Sequence, residues 1–174
     1  RFGTGSGNFV VWATLNAKQQ PVQVVSRTEL QRIPIASAFD SSAAALGTRN
    51  LAQGYLGGTA ELTGSGQSLR QMLAGANGSF GIGMEGGQVS QVLVEIIGLD
   101  IAESVGYLLA GDQPVPIHCV IADFKVEDGM LTPRAFVIDT DDTVVTGTGT
   151  INLQDESLNL ELKPAPKDFS PLSL

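Results

Sequence analysis

Few residues in this chain have the types and spacing that chemistry needs. Gly81-Ile82-Gly83-Met84-Glu85-Gly86 spells G-x-G-x-x-G, and Glu103 follows twenty residues past Gly83. In a dinucleotide site such glycines admit a pyrophosphate, and the acid closes a second parallel strand. Here Glu103 falls inside a helical pattern and no strand intervenes, so a glycine-rich strand-to-helix turn is expected instead. His118 and Cys119 are adjacent, as a nucleophile and base would be. Neighbours on a strand point to opposite faces, which predicts no dyad between them. Asp139, Asp141 and Asp142 offer oxygen ligands of the calcium kind. They lack the EF-hand spacing, and Asp-Thr-Asp-Asp is also the composition of a solvated hairpin tip. With one His, one Cys and no G-x-S-x-G elbow, a Cys/His zinc arrangement, an intrachain disulfide and a hydrolase nucleophile find no support. The expectation is a protein that is not an enzyme, with no catalytic residue, metal or cofactor.

Composition narrows the remaining classes. Charged residues make up 16% and hydrophobic ones 43% of the 174, with 21 glycines and a net charge of −8. Soluble domains typically carry ~25% charge and ~7% glycine. So little charge beside so many Val, Ile, Leu and Thr favours extended structure with apolar surface to hide. The ten Lys and Arg are scattered, which argues against nucleic acid and against a polybasic contact with anionic headgroups. The most apolar run, Val92 to Leu99, is interrupted by Glu95 and falls well short of the ~20 residues of a spanning helix. The chain opens at Arg1 and stops shortly after Lys-Pro-Ala-Pro-Lys, as a piece excised from a longer protein would.

The elements that must position any site are mostly strands. "NFVVWATL" (Asn8 to Leu15) and "PVQVVSRTELQRIPI" (Pro21 to Ile35) are strand-like, with Lys18 to Pro21 as the turn. Ser37 caps an expected short helix through Phe39, Ala43 and Leu46 that ends at Gly47. Gly54 to Gly66 reads as a glycine-rich strand, and Ser68 to Gly75 as a helical turn. Gly78 to Met84 is a further short strand. Val89, Val92, Leu93, Ile96 and Ile97 form a helical stripe. A second helix runs from Asp100, with Glu103 in a capping-box spacing, to Gly111. From Val115 the chain reads as a four-stranded antiparallel meander. It turns at Asp128-Gly129, at Asp139 to Asp142 and at Gln154 to Glu156, with Pro133 near the start of its strand. The organisation is one domain: strands and a short helix over 1–66, a helical region over 67–112, the meander over 113–164 and a tail over 165–174.

The meander holds the more informative pattern. Val145, Gly147, Gly149, Ile151 and Leu153 share one side of their strand, opposite Val144 and a run of threonines. Leu158, Leu160 and Leu162 continue the apolar side after the turn. Around Ile117 to Phe124 both sides are apolar, as if the sheet were covered on both faces there. Two covers fit the apolar side: the protein's own helices in an ordinary α+β core, or an apolar ligand in a groove. Sheltering a 16-carbon acyl chain at ~0.8 kcal/mol per CH₂ gives roughly 12 kcal/mol, and a strand face of five or six residues spans ~17–20 Å.

In order, G-x-L-x-G-x-G-x-S before a short helix, A-G-A-N-G-S-F after it, F-K-V-E-D-G-M-L, V-x-G-x-G-x-I-N-L and L-x-L-E-L-K-P span roughly residues 20 to 168. This succession resembles the C-terminal region of AsmA-family proteins. The resemblance implies an anchor in the bacterial inner membrane outside this chain, a place on the periplasmic side, and an architecture like that of bridge-like lipid transfer proteins. The fold expected is α+β: a mainly antiparallel curled β-sheet, a meander or groove, with several short amphipathic helices packed on one face or end. The function it implies is to shield or guide phospholipid acyl chains towards the outer membrane. The lipid-contact candidates are Val145, Gly147, Gly149, Ile151, Leu153, Leu158, Leu160 and Leu162. The alternative is a scaffold whose partners are outer-membrane assembly factors, met through exposed strand edges.

Overall fold

The computed structural model describes residues 2–4, 7–36, 52–90, 114–141 and 143–167. Its strands are β1 (Phe2–Thr4), β2 (Gly7–Asn16), β3 (Gln23–Pro34), β4 (Ala52–Gln53), β5 (Tyr55–Ser65), β6 (Asn77–Glu85), β7 (Gln88–Ser90), β8 (Pro114–Glu127), β9 (Met130–Thr140), β10 (Thr143–Asn152) and β11 (Ser157–Pro166). They form one antiparallel sheet in the order β1-β2-β3-β5-β6-β8-β9-β10-β11, so each long strand lies beside its predecessor among the described long strands. The short β4 and β7 pair with each other, and β7 pairs with β8. The sheet is curled.

Local chemistry accounts for the turns. Asp128 and Gly129 both take positive φ, 46° and 74°, the primed turn whose twist matches a two-residue hairpin. At the β9–β10 turn, Thr140 Oγ1 accepts from the Thr143 amide at 3.1 Å and donates to its carbonyl at 2.9 Å. After β10, the Asn152 and Asp155 side chains accept from the Gln154 and Ser157 amides, as Asx turns do.

The helix content departs from expectation. Among the described residues one complete helix stands, α1 (Leu69–Ala74). Ser68 caps it in extended conformation, its hydroxyl accepting from the Gln71 amide at 3.3 Å, and Gly75 ends it. Several amphipathic helices packed on the sheet are therefore not found among the described residues. Segment 67–112, read as helical, carries α1, β6 and β7 where it is described. The helix expected to begin around Val89 opens as strand, because Gly86 and Gly87 (φ 69° and 135°) bend the chain and Gln88–Ser90 resumes pairing with β8. The rest of that stripe, the Asp100 to Gly111 helix and the Ser37 to Gly47 helix lie outside the described residues. The same bend corrects the G-x-G-x-x-G reading: Gly81 and Gly83 sit inside β6, and a strand, not a helix, follows Gly86.

α1 closes one end of the sheet. Its backbone lies against glycines: a Cβ at Gly64 would come 2.5 Å from the Met72 carbonyl oxygen, and one at Gly129 would meet that of Ala74. Beneath it the Gly129 amide donates to Ala76 at 2.9 Å, and the Leu153 amide donates to Gly129 at 2.9 Å. The tightest packing sits here, around Ala76, Ala122, Phe124, Val126 and Leu131, with Phe80 and Phe124 stacked at 6.2 Å between centroids.

Candidate functional site

Directly opposed residues of an antiparallel ladder point to the same face, so the strand registers sort the side chains into two sets. Reading across the strands, one row runs Ala13, Ser26, Leu62, Gly78, Val126, Leu131, Ile151 and Leu158. The next begins Val11, Thr28, Ala60, Phe80, Phe124 and Pro133, and on the far side of the sheet ends with Gly149 and Leu160. A third holds Phe9, Leu30, Gly58, Ile82, Ala122 and Phe136, then Gly147 and Leu162. A fourth carries Ile33, Leu56, Met84, Val120, Ile138, Val145 and Pro164. None of these rows contains a charge.

The other face carries the charges, and they pair with one another. Arg27 bridges Glu29 and Glu61 at 3.2 and 3.0 Å, Arg134 meets Asp123 at 2.6 Å, and Lys125 meets Glu127 at 2.6 Å. The Asp123 carboxylate accepts a hydrogen bond from Arg134, which holds the guanidinium proton even more firmly than usual. A shallow depression on this face has Gly81 as its floor and Glu29, Thr59, Ile121 and Asp123 around it. Ile121 is 46% exposed, so the double covering expected around Ile117 to Phe124 is not there: Val120, Ala122 and Phe124 face the apolar side, and their neighbours face solvent.

Exposure on the apolar face is graded. Phe124 retains 4% of its surface and Val126 2%, although no second sheet overlies them among the described residues. Ala76, Leu131, Ile151 and Leu153 pack against that centre. Towards the margins the same face opens to solvent, with Leu15 of β2 65% exposed and Leu158 of β11 68% exposed.

The eight sequence candidates fall together on this face. Val145, Gly147, Gly149 and Ile151 line β10; Leu158, Leu160 and Leu162 line β11 opposite Ile151, Gly149 and Gly147. Leu153 follows β10 and packs against the core under α1. The glycines have distinct reasons. A Cβ on Gly147 would lie 2.6 Å from the Phe136 ring, so glycine there makes room for the aromatic side chain. Gly149 has φ 124°, and a Cβ on it would strike the Asn159 carbonyl. Sequence reading missed the rest of the face, such as Leu30, Leu56, Phe80, Ile82, Phe136 and Ile138. Its signal exists in β5 and β6 as alternation with small residues.

His118 lies at the end of the sheet opposite α1. A register shift between Ile117 and Cys119 makes it the extra residue of a bulge, so the simple alternation invoked for His118 and Cys119 does not govern them. Its ring meets carboxylates rather than the thiol: Nε2 is 2.5 Å from Asp141 Oδ1, and Nδ1 is 4.0 Å from Asp139 Oδ2. Lys167 pairs with Asp139 at 2.5 Å and donates to the Thr140 carbonyl. His118 is half exposed, on a rim rather than in a pocket. Asp139 is thus engaged by Lys167 and Asp141 by the His118 ring; Asp142 lies outside the described residues.

Among the described residues no helix is long and apolar enough to cross a membrane. No solved structure matches the chain. The chain is similar to the AsmA family protein YhjG of Escherichia coli (strain K12), 28% identical over 174 residues. That alignment takes in all of this chain but 25% of the relative, so the chain spans a quarter of that protein's length. The model of the AsmA family matches residues 1–136, most of the chain and every strand up to β9. This chain belongs to the AsmA family.

Proposed function

We propose that this chain is a non-enzymatic segment of a cell-envelope protein that shelters lipid acyl chains on the periplasmic side of the inner membrane, in the service of outer-membrane lipid homeostasis. The observation that carries the reading is the charge-free face shared by every long strand from β2 to β11. Such a face is stable in water only if something apolar covers it or the sheet curls over it. At the centre the face is buried. At the margins Leu15 and Leu158 stay wet, and an acyl chain lying across them exchanges water for hydrocarbon at ~0.8 kcal/mol per CH₂. Neighbouring strands are ~4.8 Å apart, so a row from β2 to β11 runs on the order of 30 Å before curvature. Membership of the AsmA family supports a role in envelope lipid or outer-membrane biogenesis.

Two measurements test it. Protein purified without detergent is extracted with organic solvent and analysed by mass spectrometry, and a fluorescent fatty-acyl probe is titrated into the delipidated protein. Co-purified phospholipid and saturable uptake are expected. Neither lipid nor uptake in a folded sample would end the reading.

A further inference from the structure

The basic side chains of the sheet are mostly engaged. Arg27, Lys125, Arg134, Lys163 and Lys167 each meet a carboxylate, and Arg70 of α1 donates to the Gln154 carbonyl at 3.4 Å. Lys18 stands in the exposed turn between β2 and β3, at the α1 end of the sheet. Arg32 lies towards the opposite strand ends, and its guanidinium meets no carboxylate among the described residues. It rests over the Tyr55 ring instead, 4.7 Å from the centroid.

A bulge puts it there. Gln31 and Arg32 together oppose Gly57, because the β3–β5 register shifts between Leu30 and Ile33. Counted in twos from Leu30, position 32 would face the apolar side. The shift gives that place to Ile33, opposite Leu56, and Arg32 takes φ 53°, which residues other than glycine seldom hold. Outliers of this kind gather where ligands are clamped. The charge thus leaves the apolar face but stays at its border, next in the chain to Ile33 and its row. Stacking on Tyr55 uses the flat side of the guanidinium. Its N–H groups lie in the plane, as the fork that fits two phosphate oxygens. Glu85, one place past Met84 on the face of Tyr55, forms no ion pair with it.

We propose that Arg32, steadied on Tyr55, binds the phosphate of a lipid whose acyl chains lie on the adjoining apolar row. The inference rests on the acyl-chain reading and adds the class of headgroup. The phosphate accepts paired hydrogen bonds at the border, and the chains run inward from Ile33 and Leu56. A neutral lipid with the same chains gives the guanidinium nothing to bind.

The test uses the delipidated 174-residue chain in competition against the fluorescent fatty-acyl probe, whose own Kd is measured for each variant. Dioctanoyl phosphatidic acid and dioctanoylglycerol differ only in the phosphate, and the parent chain is expected to bind the first at least tenfold more tightly. Arg32→Asn removes the charge and tolerates the positive φ, so it should erase that preference and leave dioctanoylglycerol unaffected. Arg32→Lys keeps the charge without the fork and should fall between. Circular dichroism checks the fold, and Arg32→Gln stands in for a variant that fails it. Equal binding of the two lipids by the parent chain, or a preference that survives Arg32→Asn, overturns the proposal and leaves the acyl-chain reading standing. So does inorganic phosphate that competes as well as the phosphatidic acid, the mark of a free-anion site. Binding of neither lipid ends both.

Discussion

The centre and the margins of the apolar face have the same composition and opposite surroundings. Phe80, Ala122, Phe124 and Val126 are aliphatic and aromatic residues facing the same way as Val11, Leu15, Leu158 and Leu162. The first group is half-buried or buried, and the second is exposed. Nothing in the residue types separates them. What separates them is position in the sheet: the first group lies on β6 and β8, inside the strand order and packed with Ala76 and Leu153, whereas Val11 and Leu15 lie on β2 and Leu158 and Leu162 on β11. A single sheet can therefore own both a core and a wet apolar surface.

Substitutions should expose that border. The largest effect is expected at the centre: Phe124→Ala should cost about 3–5 kcal/mol in urea unfolding, the range for a buried aromatic residue replaced by alanine. A loss no larger than at the margins would mean that the centre is not packed as described. Overfilling the face is next. Gly147→Ala pushes a methyl group against Phe136, and about 1–3 kcal/mol of overpacking is expected in the same assay. The double variant with Phe136→Leu should recover part of it, since the shorter side chain withdraws from the contact.

At the margin the expectation reverses. Leu158→Ser should change unfolding free energy by no more than about 0.5 kcal/mol, as exposed substitutions do, while lowering uptake of the acyl probe severalfold. If stability collapsed and uptake did not change, Leu158 would belong to the core and the comparison would fail. The smallest effect lies on the polar side of the same hairpin. The Asp155 carboxylate accepts from the Ser157 hydroxyl at 2.7 Å and from its amide at 3.1 Å, and both bonds hold its pKa below the ordinary 3.8. A depressed carboxylate stabilises the fold above its ordinary pKa and stops doing so as pH falls through the lowered value. Ser157→Ala should thus lower stability slightly at neutral pH, and the difference from the parent chain should vanish as pH falls through the lowered value, readable in urea unfolding followed by circular dichroism at several pH values.

Much of the hairpin architecture was legible because local chemistry decides it. Asp128-Gly129 supplies two positive φ values in a row, Ser68 supplies a capping oxygen, and the Thr/Gly alternation from Thr146 to Thr150 has a strand's period. The apolar face beyond β10 and β11 was harder to see. On β3 the facing residues include Ser26 and Thr28, and a register shift with Arg32 at φ 53° puts Leu30 and Ile33 three apart on one face. Pro133 and Phe136 are likewise three apart across an irregularity opposite Asp123 and Phe124. A period of two breaks at each shift, so alternation counted along the chain loses phase. Gly86 and Gly87 misled in the opposite direction: glycines that commonly stop a strand here bend it and let β7 resume.

By itself the sequence determined the long strands, the tight turns, the short capped helix and the low charge, because each rests on a residue's own backbone preference or on neighbours within a few positions. It also carried the succession of motifs by which the family is recognised. Tertiary structure alone decided how the rows of separate strands align into one charge-free face, which part of that face is sheltered, and that His118 meets Asp141 across 23 positions of chain. Those outcomes depend on register and curvature, which are set by pairings between distant segments and leave no mark in any short stretch of sequence.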